Sequence, residues 1–340
     1  MTDPIAPKQL PVVPQSPVDG DGRPIVGVYV GALDEVRWGY PSGFWHGQVR
    51  RALGRRRWFQ AAFTDGPHLT VARISDDGLG GGAFVWRANL DDGREALNCH
   101  IPGLPLANVQ VGPIAGTGCD AYARLPHARL RLHRAAAAEP WRLEAFLPGA
   151  AMEIALNPER APTPLVMIGE AGPIDGIYAQ RFVGLEASGH VRLRSEKKDI
   201  KGIGWLEYAN GFFPRPFAWA TATISSPGFH IVLSDLDGVG GPTESAVWRE
   251  TLPQAIGRAR FDGWQGGPGE ETPRTIHPPT ELSDDGQPLT FEPRAVRELA
   301  TGLGPSAVRW RFAAGWFSGQ IGDKVLDRVP GLVEIRVLGN

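Results

Sequence analysis

Cysteine is nearly absent, with Cys99 and Cys119 the only two in 340 residues. Two thiols cannot frame a disulfide scaffold, and no Cys-x-x-Cys spacing offers a metal or redox site. A strong charge bias is missing too: the formal net charge is −2 and the pI is near 6.5. Such a balance does not neutralise a phosphate backbone, so no nucleic-acid partner is expected. The one basic cluster, Arg50, Arg51, Arg55, Arg56 and Arg57, is local and is expected to decorate a hairpin end. Long apolar runs are lacking throughout. Met1–Asp21 carries five prolines and one lysine, which is neither a signal peptide nor a membrane anchor. No integral membrane segment is expected, and the cytoplasm is the default location.

Helical patterning is scarce. Ala135–Ala138 is cut short by Pro140, and Gln254–Arg260 and Arg294–Leu299 are too short for a helical domain. The familiar catalytic motifs are missing: no Walker loop, no His-Glu-x-x-His, no Gly-x-Ser-x-Gly. Gly78–Gly82 resembles a phosphate loop but lacks the following Lys-Ser or Lys-Thr, and reads as a hairpin turn. His127 and His133 are too far apart to share a metal, so neither metal nor other cofactor is expected.

What is abundant is turn chemistry, with 44 glycines and 31 prolines. Between the turns run short stretches of alternating polarity. Arg129, Arg131 and His133 interleave with Leu130 and Leu132; His190, Arg192 and Arg194 with Val191 and Leu193; Arg309 and Arg311 with Trp310 and Phe312; Glu334 and Arg336 with Val333, Ile335 and Val337. A period of two marks a strand with one wet and one dry face. Asp76-Asp77-Gly78, Asp91-Asp92-Gly93, Asp284-Asp285-Gly286 and Ser188-Gly189 supply the hairpin turns. The fold expected is all-β, with two lipocalin-like antiparallel barrel or sandwich modules packed together. Proline-rich Asn157–Pro164 sets the boundary: a flexible arm over 1–23, an N-terminal module over 24–163 and a C-terminal module over 164–340. Gly263–Pro279 reads as a long exposed loop.

Tryptophan is the compositional excess, 11 against only 5 tyrosines. Large rings can simply fill a core. Indoles also bring an N–H that needs a partner, and a barrel lined with them can enclose an apolar guest. Trp86, Trp205, Phe213, Trp219 and Trp248 are the candidate lining residues. Within Gly204–Trp219, Glu207 and Tyr208 lie among aromatics. Apolar surroundings disfavour the ionised carboxylate, so its pKa is expected to rise, as suits a general acid. The structural alternative is an ion pair with an arginine such as Arg215. Glu244, beside Trp248, is a further catalytic candidate, or else a rim carboxylate held by backbone N–H groups.

These segments resemble a bacterial family, domain of unknown function 2804. Leu206-Glu207 through Trp219, the Ile231–Leu236 strand and Thr243-Glu244-Ser245-Ala246-Val247-Trp248 carry the resemblance, and Phe261 closes the unit. Arg56-Arg57-Trp58, Ser188-Gly189, Phe291-Glu292-Pro293 and Gly315–Gly319 extend it over most of residues 25–325, most strongly over 186–262. Glu207 stands where the family has aspartate, Thr221 where it has a second tryptophan, and Ser245 where it has asparagine. The resemblance implies the lipocalin-like tandem-β group that includes carotenoid hydratases, tocopherol cyclases and fungal Diels–Alder cyclases. Those enzymes hold long apolar substrates between two β modules without a redox cofactor. The expected function is thus a cofactor-independent cyclase, isomerase or hydratase acting on a hydrophobic polyene, terpenoid or polyketide. Glu207, Tyr208 and Glu244 would be its catalytic residues. The alternative is a carrier or sensor of a hydrophobic small molecule. Oligomeric state is left open.

Overall fold

The computed structural model describes residues 9–38, 54–78, 80–103, 107–172, 174–214, 216–237, 245–263, 272–279, 287–301 and 308–338. Among these residues the twenty-two named elements are all β-strands, so the all-β expectation holds. The segments weighed as helix over 254–260 and 294–299 lie in strands instead. Among the described residues, no helix is long and apolar enough to cross a membrane.

The first sheet is built from β1 (Gly27–Val30), β2 (Arg55–Asp65), β3 (His68–Asp76), β4 (Gly81–Asn89), β5 (Glu95–Gly103), β6 (Val109–Gln110) and β7 (Cys119–Leu125). It continues with β8 (Ala128–Arg134), β9 (Trp141–Leu147), β10 (Ala150–Asn157), β11 (Leu165–Glu170), β12 (Gly176–Leu193) and β13 (Glu196–Phe212). Its strand order is β5-β4-β3-β2-β13-β12-β10-β9-β8-β7-β6, with β11 also on β12 and β1 on β11. The sheet curls into a near-barrel.

The second sheet holds β14 (Phe217–Ser226), β15 (Phe229–Asp237), β16 (Ser245–Arg249), β17 (Leu252–Gly257), β18 (Arg260–Phe261) and β19 (Thr275–His277). The long strands β20 (Leu289–Thr301), β21 (Val308–Ile321) and β22 (Lys324–Leu338) complete it. The order is β17-β16-β15-β14-β22-β21-β20-β19-β18, a half-barrel.

The chain changes sheets between Phe212 and Phe217. Asn157–Pro164 joins β10 to β11, which follow one another along β12. The expected free arm is partly tied down. Val30 N–H donates to Pro11 O at 2.8 Å and Val13 N–H to Val30 O at 2.9 Å. Thr275–His277, expected in a loop, pairs with both β18 and β20.

Three cores follow from this layering. Phe59, Ala61, Phe63, Leu206 and Tyr208 belong to the core inside the first sheet. Trp58, Ala62, Trp205, Trp219, Trp310 and Phe312 belong to the core between the sheets, and Ala220, Ile224, Val333 and Phe317 to the core inside the second. Strands β2 to β4 are therefore wrapped on both faces and read as nearly unbroken buried runs. Strands β8 and β9, with one face in water, keep the clean alternation seen in sequence.

Ser188-Gly189 is not a hairpin. It lies within β12, and the chain turns at Arg194 (φ 56°) between Leu193 and Glu196. Gly189 has φ 142°, and a Cβ there would stand 2.0 Å from Glu153 O. Glycine here permits a close backbone approach rather than a turn. Gly189→Ala should destabilise the fold by about 1–3 kcal/mol, read as a lower denaturant midpoint at unchanged m-value. An unchanged midpoint would contradict the packing.

A bulge between Phe182 and Leu185 brings Gly184 against His230. The imidazole is buried, its Nδ1 2.9 Å from Ser225 Oγ. Burial lowers its pKa from 6.5 to about 4. The unfolded chain therefore takes up this proton first as pH falls, and stability present above pH 6.5 is lost down to about pH 4. Equilibrium unfolding against pH should show this step in the wild type and lose it in His230→Gln. Its persistence in the variant would assign the step elsewhere.

Candidate functional site

Strand register builds one row across the first sheet. Arg73 on β3 faces Gln60 on β2, Gln60 faces Glu207 on β13, and Glu207 faces Arg181 on β12. A second row crosses the other sheet: Trp219 on β14, Arg336 on β22 and Trp310 on β21. The two rows meet in the layer between the sheets, and all of these side chains are buried.

Glu207 is the hub. Its Oε1 accepts from Trp58 Nε1–H at 2.7 Å and lies 2.6 Å from Arg336 Nη2. Its Oε2 is 3.0 Å from Arg181 Nη2. Glu334 Oε2 adds a weaker contact to Arg336 at 3.4 Å. Guanidinium groups lie over the indoles. Arg73 Cζ is 3.4 Å from the Trp310 ring centroid and 4.6 Å from that of Trp58, while Arg336 Cζ is 4.5 Å from that of Trp219.

This geometry reverses the expected titration of Glu207. Burial alone would raise its pKa, but Arg336 and Arg181, the Trp58 N–H and Arg73 together hold it at about 2. Its two ion pairs and its lowered pKa make it an anchor for cations. The alternative of an arginine partner is realised with Arg181 and Arg336; Arg215 lies outside the described residues. Tyr208 cannot assist Glu207, because neighbouring strand residues point to opposite faces. Its ring sits in the first sheet's interior and its O–H donates to Gly112 O at 3.0 Å. Glu244 lies outside the described residues.

The apolar candidates do share one face. Trp86, Trp205, Phe213, Trp219 and Trp248 all belong to the intersheet core. Trp86 Nε1–H donates to Glu95 Oε1, Trp219 Nε1–H to Ser234 Oγ and Trp248 Nε1–H to Thr163 O, each at 2.8 Å. Trp205 Nε1 has no partner. Among the described residues around the row, the side chains are buried against one another and the expected hollow is not open there. Two spaces of about 10 Å³ each flank the row. One is at its Arg73 end, with Ser75, Thr301 and Trp310; the other is at its Arg181 end, with Trp219 and Ser234. Indoles and guanidinia occupy the room between.

The guanidinia are underpaired. Arg73 Nε and Nη2 and Arg336 Nε and Nη1 are buried without hydrogen-bond partners, and Arg181 Nη2 meets Glu207 without hydrogen-bond alignment. Burial, reinforced by Arg336, lowers the pKa of Arg73. An orphaned buried donor costs about 1–3 kcal/mol, more when charged. Buried ion pairs seldom outperform apolar packing of the same volume. Stability does not account for this cluster, and the donors are left available to a ligand oxygen. Asp77 stands nearby, fully buried, and burial raises its pKa against the opposing pull of Thr301 and Arg73. No group of His, Cys, Asp and Glu among the described residues is placed to hold a metal ion.

Sequence reasoning missed Arg73, Arg181 and Arg336. The alternation of Glu334 and Arg336 with Val333, Ile335 and Val337 was expected to put the charged pair in water. Both are instead buried, because β22 is covered on both faces. The available signal was the company they keep: Arg73 sits in a stretch otherwise as apolar as a core strand.

No family model matches the chain, so the finer likeness to domain of unknown function 2804 gains no support there, and no curated protein matches it. Solved structures do match in fold. Kievitone hydratase from Nectria haematococca aligns with TM-score 0.58 at 12% identity, over 98% of this chain and 99% of that one. An AttH candidate from Nitrosomonas europaea aligns with TM-score 0.56 at 13% identity, over 84% and 93%. CghA, solved with Sch210972, aligns with TM-score 0.54 at 11% identity, over 85% and 89%. At these identities the likeness is one of fold.

Proposed function

We propose that this chain is a cofactor-independent cyclase, isomerase or hydratase acting on a hydrophobic polyene, terpenoid or polyketide that enters the layer between its two sheets. The observation that carries the reading is the row of buried, underpaired guanidinium donors set against indole faces. Solved structures of the same fold that include a hydratase add support at the level of architecture alone.

The chemistry follows from the charges. Arg73, Arg181 and Arg336 face Glu207 and Glu334, with burial working against a charge on the neighbouring Asp77, and the guanidinia already cover the faces of Trp58, Trp219 and Trp310. A carbocation beside them would be repelled, so the indoles do not serve cation chemistry. An oxygen gaining negative charge is favoured instead. The substrate therefore carries a carbonyl conjugated to its polyene. Arg73 and Arg336 donate to that oxygen and draw electron density from the chain, which assists ring closure or addition of water. Glu207 fixes the guanidinia rather than donating a proton.

The closed layer favours a second reading, a carrier that opens for its ligand. One incubation separates the two. The protein is mixed with a panel of polyenones and polyenoyl ketones, and the products are followed by chromatography and mass spectrometry. The enzyme reading predicts a product of unchanged mass, or heavier by one water, from at least one compound. Retention of a panel member with no product would favour the carrier. Because the layer must part, association should also be slower than about 10⁵ M⁻¹s⁻¹, the lower end of ordinary binding. Stopped-flow tryptophan quenching measures this directly, and faster association would mean that the ligand binds elsewhere.

A further inference from the structure

The described part of the basic cluster, Arg55, Arg56 and Arg57, is unused by the reading above and lies in strand β2. Alternation along β2 sends Arg56 toward the intersheet side with Trp58, and Arg55 and Arg57 toward the first sheet's interior with Phe59. Arg57 is buried, and its Nη1–H donates to Val111 O at 2.6 Å, which fixes the side chain. Arg50 and Arg51 lie outside the described residues.

At this end of the first sheet lies a cavity of about 240 Å³. Arg37, Arg55 and Arg57 supply its cations and Glu35 its one carboxylate; Val36, Trp38, Pro113 and Phe212 form apolar wall, and Asn210 closes it. It is separate from the intersheet row. Asn210 and Phe212 alternate with Glu207 along β13 and so sit on the other face of that strand. Glu35 is engaged by Arg37 at 2.7 Å. Asp76, opposite Arg57 on β3, is the other nearby carboxylate. Three buried polar atoms of the lining lack partners: Trp38 Nε1, Arg57 Nε and Asn210 Oδ1. Asn210 itself is oriented by donating from Nδ2 to Val36 O at 3.1 Å and to Tyr208 Oη at 3.2 Å. Trp38 Nε1–H and Arg57 Nε–H are unused donors and Asn210 Oδ1 an unused acceptor, and two unused donors in a formed cavity call for a ligand.

We propose that this cavity is a second binding site, for a small organic carboxylate with a flat apolar body. The carboxylate lies toward the unpartnered Nε–H of Arg57, with Arg55 as a neighbouring charge, and the body packs against Trp38 and Phe212. The volume is below the about 300–1,000 Å³ of drug-sized pockets, which suits a single-ring acid. Guanidinium forks match a planar carboxylate, while the apolar walls leave a fully hydrated inorganic anion unsatisfied.

The test is calorimetric titration of the full chain with benzoate, with benzamide as the uncharged isostere and with inorganic phosphate. Saturable binding of one benzoate per chain is expected, with benzamide and phosphate each weaker by about tenfold or more. Arg55→Gln should weaken benzoate by a similar factor and leave circular dichroism unchanged. Should that variant not fold, Trp38→Phe serves instead: benzoate must shift one indole N–H resonance of the wild type that is missing from the variant. Equal binding of benzoate and benzamide, or no shift of the Trp38 signal, overturns the proposal. None of these readouts depends on turnover, so they stand apart from the intersheet reading.

Discussion

Replacing Glu207 by glutamine is expected to cost about 3–5 kcal/mol of folding stability, the penalty for stripping one partner from a buried ion pair. Arg336 Nη2 at 2.6 Å and Arg181 Nη2 at 3.0 Å would lose their shared counter-charge in a layer closed to water. A surface carboxylate would cost a tenth of that. Denaturant unfolding measures the loss, and Glu207→Gln combined with Arg336→Met should recover much of it. A loss below about 1 kcal/mol would mean that water or ions reach the cluster. The same pairing gives an acid limb. The folded protein keeps Glu207 ionised to about pH 2, against an ordinary value of 4.5. The unfolded chain is protonated first, so the stability present above pH 4.5 is lost as pH falls toward 2. In Glu207→Gln this limb should flatten. A limb of unchanged depth would assign the acid sensitivity to other carboxylates.

Arg73→Met should remove about 10²–10³ in kcat from whatever conversion the layer performs, the usual worth of one donor aimed at a developing oxyanion. Arg73 is the informative choice, since its Nη1–H donates to Gln60 Oε1 at 3.2 Å and it makes no direct ion pair among the described residues. Methionine keeps the length and the contact with Trp310, so the fold should survive with a melting temperature near the wild type. Arg73→Lys keeps the charge without the fork and should fall between the two. A Met variant that turns over at the wild-type rate would exclude this guanidinium from the chemistry. The accompanying KM should change far less than kcat, because the donor acts on charge that appears only in the transition state.

Much of the fold was legible because local rules decide it. Interleaved polarity at 129–133 and 308–312 does form the half-wet strands β8 and β21, and Asp91-Asp92-Gly93 does turn β4 into β5, with Gly93 at φ 72°. The five aromatic candidates share the intersheet core, though nothing in the sequence told which face of its strand each ring takes. What could not be read is which face of a strand is covered. The C-terminal halves of β13 and β22 are buried on both sides, so alternation there separates two cores, not water from core. That is why Glu334 and Arg336 were sent outward and Glu207 and Tyr208 were joined across a strand. The row Arg73–Gln60–Glu207–Arg181 draws on four strands whose register is set by distant pairing. No spacing in the chain encodes it. The rise expected for the Glu207 pKa failed for the same reason: its aromatic neighbours in sequence are visible, but its arginine neighbours in space are not.

The most direct measurement is a crystal structure of the protein soaked with β-ionone, a terpenoid with a carbonyl conjugated to its alkene chain. The account predicts the ligand between the two sheets with its carbonyl oxygen about 2.7–3.1 Å from a guanidinium nitrogen of Arg73 or Arg336, and its ring against the indole wall. A ligand lodged outside that layer, or one inside it with its oxygen turned away from both arginines, would contradict it.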